Sequence, residues 1–554
     1  MCARLIHAVS ETSLARSSAQ ASSEPPGRSD GMRLLRGTPF THHLPANDHS
    51  YELWARYDDR VLTKTGHAAH PRVDSREGIR TNGTEMASQS QCQTGDFRKI
   101  FNLVGELLSS AADPSLRRTT RDFSRDGTLT PDLLVVILLF MAGDSNRRGY
   151  RHILDAFWDE CASHDVPLPR DRPVTGAAFC QARAKLPSEL LRKVLHEVAD
   201  KMEAKLQTAA HWKGRRVLAV DGTKMNLQRS LELDQGFGRP EGGHAPQATV
   251  SALVNVMTQA PCDIVIDRYG ACERQMLVDH LDVLRPHDVL IMDRGYPSHE
   301  VLRLLISQRI DFLVRVPAAN SFAALDEFRF SGAIDRKIVI GAARDARCGE
   351  TPIELRAIKL TNPTGEESFY LTTLCPGEVS RAEIVELYRL RWQAEEYFKL
   401  EKSLYFDQRQ FHAKSAQGIR QEILAQAIYV VVARFLLAVA AEHVNVDRRE
   451  LSVKSAVLAL AVYLTRLCLD DPARAVHCLP RMLERIASPG TSVVGPRENL
   501  EKPETRRPGG RTSVFDELTN DTREGVSSEG QSTAAAPELP GADRAEARAG
   551  EQEA

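Results

Sequence analysis

Two aspartates close two short apolar runs, Val217-Leu218-Ala219-Val220-Asp221 and Val289-Leu290-Ile291-Met292-Asp293. Each run reads as a buried strand, and in open α/β sheets ligand-binding groups sit at the carboxyl ends of strands. A carboxylate there is rigidly held yet reaches the sheet edge. Singly each is weak, because Asp-Gly after a strand is most often a turn. The pair gains chemical meaning only when a third acid joins it. Residues 388–402, Tyr-Arg-Leu-Arg-Trp-Gln-Ala-Glu-Glu-Tyr-Phe-Lys-Leu-Glu-Lys, supply one. At ~100° per residue, a helix through them gathers Tyr388, Arg391, Trp392, Glu395, Lys399 and Lys402 within roughly 100° of arc. Leu387, Leu390, Ala394, Tyr397, Phe398 and Leu404 form the apolar side. Glu396 falls off the stripe, so Glu395 is the better candidate. Two strand-end aspartates and a helical glutamate suit two-metal phosphoryl transfer. Hard divalent cations take carboxylate oxygens, and two ions about 3.5–4 Å apart activate an attacking oxygen and stabilise a leaving one. The helix's own cations would hold DNA phosphates alongside.

The spacing Tyr388-x2-Arg391-x3-Glu395-x6-Lys402 matches the Tyr-Arg-Glu-Lys signature of the insertion-sequence-4 family of bacterial DDE transposases, which this chain resembles. Asp221 in Val-Asp-Gly-Thr and Asp293 in Met-Asp-Arg-Gly-Tyr match that family's two aspartate motifs. The stretch from Val174 to Leu186 looks like the segment before its catalytic domain. The resemblance covers roughly residues 97–445. It implies a ribonuclease-H-like core with a mixed sheet, interrupted by a β-rich insertion before the glutamate helix. It further implies that Asp221, Asp293 and Glu395 are catalytic and bind two Mg²⁺ or Mn²⁺ ions, and that Tyr388, Arg391 and Lys402 contact phosphates near the transposon end. The substrates would be terminal inverted repeats, nicked to expose a 3′-OH that is joined to target DNA by a homodimer or larger synaptic complex. Relatives cut the second strand through a hairpin with a flipped base, for which Trp392 offers a stacking surface, or else packs on the sheet. Lys399 is a further DNA contact, and Glu273 and Arg274 take an accessory role. Two other readings are a non-catalytic DNA-binding protein derived from a transposase and a nuclease that hydrolyses without joining.

The elements that must position these groups follow from periodicity. Residues 97–210 read as an all-helical, DNA-binding unit, with Pro131 opening a strongly apolar helix and further helices at 150–160, 175–185 and 187–208. Arg117, Arg118, Arg121 and Arg125, then Arg147, Arg148 and Arg151, lie on its connections, as a solvated surface or a phosphate patch. From Arg216 strands alternate with helices, which implies an α/β layer. Strand runs at 248–257, 264–267 and 312–316 and helices at 273–284 and 298–308 complete the first part of a catalytic core, 215–319. Short alternating runs at 320–378 read as the inserted β-rich subdomain, and 379–486 returns to helices. Residues 1–95 and 490–554 lack sustained periodicity; the first stretch reads as disordered or as outside the native reading frame, the second as a disordered tail.

Composition excludes several classes. The 554 residues carry 72 Lys+Arg against 74 Asp+Glu, so global basicity announces no nucleic acid. Ten cysteines without a Cys-x-x-Cys pair argue against a zinc ribbon or disulfide scaffold and fit a reducing, cytoplasmic setting; the resemblance implies a bacterial, nucleoid-associated protein. The N-terminus lacks a signal peptide's apolar run, and the most apolar windows, 133–143, 428–441 and 456–469, fall short of a membrane span. No Gly-x4-Gly-Lys-Ser/Thr motif occurs and Gly236-x-Gly238 is too short for a nucleotide fingerprint, so ATP is not expected. His299 reads as a surface or helix-start residue.

Overall fold

The computed structural model describes residues 83–488, apart from 125–126, 145–148, 318–321, 342–351, 362–366 and 403–410, with the backbone alone for 83–96. The two tails, and with them Arg125, Arg147, Arg148 and Leu404, lie outside the described residues. The chain divides into two compact units at Val493/Val494, and every described residue belongs to the first.

Five helices come first: α1 (Gly83–Ala112), α2 (Pro131–Gly143), α3 (Tyr150–Ser163), α4 (Gly176–Lys185) and α5 (Ser188–Leu206). Thr175 caps α4 by accepting from the Ala178 amide, the satisfaction of an orphan donor that favours Thr there. Then follow β1 (Val217–Asn226), α6 (Leu231–Phe237), β2 (Gln247–Asn255), β3 (Ala260–Arg268), α7 (Glu273–Asp279), β4 (Val289–Met292), α8 (His299–Ser307) and β5 (Asp311–Val316). After α9 (Ala323–Phe330) come β6 (Asp335–Ile340), β7 (Ile353–Thr361) and β8 (Glu367–Thr372). The chain ends in helices: α10 (Arg381–Arg389), α11 (Trp392–Glu401), α12 (Ala416–Val444), α13 (Val453–Leu469), α14 (Pro472–Ala475) and α15 (Leu479–Ala487).

All eight strands join one open mixed sheet in the order β3-β2-β1-β4-β5-β8-β7-β6. β1, β4 and β5 run parallel and the other neighbours antiparallel. The order is consistent with a ribonuclease-H-like core. The β-rich insertion expected at 320–378 holds β6–β8. β8 pairs antiparallel with β5 through Leu313↔Thr372 to Val316↔Phe369, so β6–β8 extend the central sheet rather than standing apart. Short alternating runs reveal a half-buried strand but not its partner.

One face of the sheet, with Val217, Ala219, Val289, Ile291 and Leu313, packs into a continuous apolar core with α1, α2, α5, α12, α13 and α15. The other face, with Leu218, Val220, Leu290, Met292 and Val314, packs against α8 and α9. The helical segment 97–210 is thus no free-standing domain, because its core is also one wall of the sheet. α12 is the centre of that wall. It is the one helix among the described residues long and apolar enough to cross a membrane, with a mean hydropathy of 2.2 over its most apolar stretch, but 94% of that stretch is buried in protein. Two polar residues in its first turns are satisfied inside: Glu422 pairs with Arg183 of α4 at 3.1 Å and Gln421 accepts from it at 2.9 Å.

Two buried ionic clusters tie helices to strands. Arg216, just before β1, holds Asp288, just before β4, with two hydrogen bonds of 3.0 and 2.6 Å and reaches Glu203 of α5 at 3.3 Å. Asp263 of β3, fully buried, accepts from Arg192 at 2.8 and 2.6 Å and lies 2.7 Å from each of His196 and His280.

Candidate active site

Asp221 does not end its strand. β1 runs on to Asn226, paired antiparallel with β2 through Asp221↔Ala252. What ends near Asp221 is the parallel ladder with β4: Val217↔Val289, Leu218↔Leu290 and Ala219↔Ile291. Extending this register by two residues sets Asp221 directly beside Asp293 on strands roughly 4.8 Å apart. Side chains alternate along a strand, so both aspartates share the face of Val217, Ala219, Val289 and Ile291, the face α11 covers. Asp293 itself follows β4 immediately, and its Oδ1 accepts from the Gly295 amide at 2.8 Å. Arg274 steadies this turn by donating to the Gly295 carbonyl at 2.9 Å.

Gly222 is not a turn residue. A Cβ there would come within 2.9 Å of the Glu273 carboxylate, so glycine is what lets the first turn of α7 approach the sheet. Glu273 therefore stands closer to the aspartates than its accessory reading implied. Its pKa is raised by burial and then by the charge of Asp293.

The helix expected across 388–402 is in two pieces. α10 ends at Arg389, and Leu390 and Arg391 form a tight turn in which hydrogen bonds skip three residues instead of four, from Leu390 N to Leu387 O at 3.1 Å and from Arg391 N to Tyr388 O at 3.0 Å. Such a turn winds ~120° per residue rather than ~100°, so Tyr388 is offset by roughly 40° from the arc of a single helix, while Arg391 and Glu395 keep helical spacing and contact. The apolar side survives in part: Leu387, Ala394, Tyr397 and Phe398 are buried, and Leu390 half so. Glu395 lies in the first turn of α11 and forms an ion pair with Arg391, whose guanidinium stands 5.9 Å from the Tyr388 ring centre. Tyr388 is pinned edge-on to Tyr370 of β8 at 4.7 Å, and burial pushes its phenol up to about 12.

Trp392 is not packed on the sheet. It is 49% exposed, donates from Nε1 to Glu396 at 2.6 Å and carries the Lys399 ammonium 3.9 Å above its ring. Glu396, set aside as off the stripe, is thus the acceptor for both Trp392 and Lys399. Lys402 is exposed at the end of α11.

The electrostatics tie the three carboxylates together. Half-buried Asp221 has its pKa pushed up to about 6, first by burial, with the Gly222 amide and Arg391 opposing and the charges of Glu395 and Asp293 adding to the rise. Burial outweighs the neutralising Arg391, and the neighbouring carboxylates add to it. This donor set suits a hard divalent cation. As placed, with Glu395 turned to Arg391, no three acids, histidines or cysteines among the described residues converge as a ligand group.

Two residues at this level escaped the sequence reading. β4 pairs with β5 through Met292↔Val314, so Arg315 stands next to Asp293 on the same face, and it faces Tyr370 across β8. Its odd position in Asp-Phe-Leu-Val-Arg-Val was the available clue. Glu401 is fully buried, bonded by the Tyr397 hydroxyl through one oxygen while the other has no partner, and burial pushes its carboxyl up to about 8.

No curated protein matches the chain. Among solved structures, the piggyBac transposase in a synaptic complex with hairpin DNA aligns with 74% of this chain and 88% of its own, at 10% identity and a TM-score of 0.36. Residues 212–431, the stretch that holds Asp221, Asp293, Glu395 and the whole of α10 and α11, match the family of transposase DDE domains.

Proposed function

We propose that the protein is a DNA transposase of the insertion-sequence-4 type, which binds terminal inverted repeats and catalyses strand cleavage and strand transfer. The observation that carries this reading is the ladder of β1 with β4, whose register extended by two residues pairs Asp221 with Asp293, together with the charges of Asp293 and Glu395 acting on Asp221. Asp221, Asp293 and Glu395 would hold two Mg²⁺ or Mn²⁺ ions, which supply Lewis-acid activation of the attacking and leaving oxygens. The chain's own part is to fix Asp221 and Asp293 on two neighbouring strands and to hold the Arg391 guanidinium beside Glu395, where it would meet a phosphate. Tyr388 and Lys402 add phosphate contacts, and Trp392 with Lys399 offers a stacking face for a base. The enzyme acts as a homodimer or larger synaptic complex in the bacterial cytoplasm.

The test is cleavage of a linear duplex carrying the DNA that flanks the gene, with Mg²⁺, by wild type and Asp293→Asn. Cutting at the element's boundary by wild type alone is expected. Equal cutting by both would overturn the carboxylate assignment, and binding without cleavage by either would leave a non-catalytic DNA-binding protein.

A further inference from the structure

A cavity of about 760 Å³ opens where α3, α4, the loop before α6 and the start of α12 meet. Its floor is a fixed, charge-balanced cluster. Arg183, 4% exposed, donates to Gln421 at 2.9 Å, to the Tyr150 hydroxyl at 2.8 Å, to the Gly418 carbonyl at 3.0 Å and to Glu422 at 3.1 Å. Two rings stand above it, with Tyr150 and His412 centred 6.0 Å apart at 33°. The rim differs. Arg118 is exposed and meets only the neutral Gln417 amide at 3.4 Å, and exposed Lys414 has no ion pair among the described residues. Glu232 is the single acid among the described lining residues.

The cavity lies within the ~300–1,000 Å³ span of small-molecule sites, far larger than an inorganic anion needs. Uncompensated cations at a rim favour a phosphate, and ring faces beside them favour a planar base. We infer that this cavity binds one nucleotide unit, its phosphate at Arg118 and Lys414 and its base against Tyr150 and His412. The unit comes either from a free nucleotide or from an unpaired stretch of DNA. The inference does not depend on the carboxylate site, and its test needs no cleavage.

Cys180 provides the readout, since its exposed thiol lines the cavity while those of Cys272 and Cys375 do not. Full-length protein in EDTA would be alkylated with iodoacetamide and labelling followed cysteine by cysteine, with thymidine monophosphate or single-stranded oligothymidylate added. A ligand at ~10 Kd leaves about one site in eleven empty, so labelling of Cys180 should slow roughly tenfold while Cys272 and Cys375 keep their rates. Protection at lower concentration by the oligonucleotide identifies DNA as the source, and the reverse order a free nucleotide. Arg118→Glu with Lys414→Glu should abolish protection, with buried Cys161 and Cys468 remaining unlabelled as proof of folding. Undiminished labelling of Cys180 with both ligands, equal protection by heparin, or protection that survives the double variant would each overturn the inference.

Discussion

Asp221→Asn should make the protein more stable at neutral pH, although it removes a candidate catalytic group. Burial and the neighbouring carboxylates raise the Asp221 pKa from 3.8 to about 6. Below pH 4 folded and unfolded chains both carry the proton, so the group contributes nothing. Between pH 4 and 6 the unfolded chain ionises first, and a penalty grows. Above pH 6 the penalty is constant. At ~1.36 kcal/mol per pH unit it is at most about 3 kcal/mol, and solvent reaching the half-buried carboxylate reduces this to roughly 1–2 kcal/mol. With an unfolding entropy of ~2.1 cal/mol/K per residue over roughly 400 residues, the variant should gain about 1–3 °C in Tm. Scanning calorimetry of both proteins from pH 4 to pH 8, without divalent ions, measures this directly. The gain should be absent at pH 4 and full by pH 7. Adding Mg²⁺ at pH 8 should raise the wild-type Tm and move the variant's less. An equal gain at pH 4 and pH 8, or none at pH 8, would refute the account of a carboxylate held at a cost by burial and its acidic neighbours.

Gly222→Ala should change stability by less than ~1 kcal/mol, because the atom its Cβ meets is the movable end of Glu273. It should nonetheless slow boundary cleavage by ~10-fold or more by displacing that carboxylate; a full cleavage rate would exclude Glu273 from the site. Asp263→Asn should cost about 3–5 kcal/mol at pH 7 in chemical denaturation, since it strands Arg192 beside a buried neutral amide. Burial opposes the Asp263 charge, but the Arg192, His196 and His280 hydrogen bonds outweigh it and hold its pKa well below 3.8. Its stabilisation is therefore present above pH 4 and fades as pH falls below, and a pH-independent cost would contradict this assignment. For Glu401 the sign reverses. With its pKa near 8, Glu401→Gln should be nearly silent at pH 5 and increasingly stabilising up to pH 8, and a Tm difference that does not widen with pH would sink it.

The elements legible in the sequence were those whose pattern is local. The helices at 150–160, 175–185 and 187–208 stand at Tyr150–Ser163, Gly176–Lys185 and Ser188–Leu206, and Asp221, Asp293 and Glu395 share one electrostatic neighbourhood. What escaped was set by partners distant in the chain. β6–β8 joined the main sheet because β8 found β5, a choice that alternation alone does not encode. α12 was read as a shorter apolar window, since Gln421 and Glu422 interrupt its start, and partners outside the helix, Arg183, Leu186 and His412, make those groups tolerable inside. The break at Leu390–Arg391 carries neither Pro nor Gly to announce it. Glu273 comes beside the aspartates by packing over Gly222, and Arg315 by strand register, neither of which composition reveals.

The Arg216–Asp288 pair has a meaning beyond its buried charge. Arg216 and Asp288 are 72 positions apart, with the Val289 amide bonded to the Arg216 carbonyl at 2.9 Å. Asp221 and Asp293 have the same offset, five residues further along the same two strands. The ion pair is thus an index pin. A slip of β4 by one residue would turn Asp293 to the opposite face, and it would first have to tear this pair apart. Alignment of the two aspartates is guarded from the far end of the strands, where neither DNA nor metal need disturb the guard.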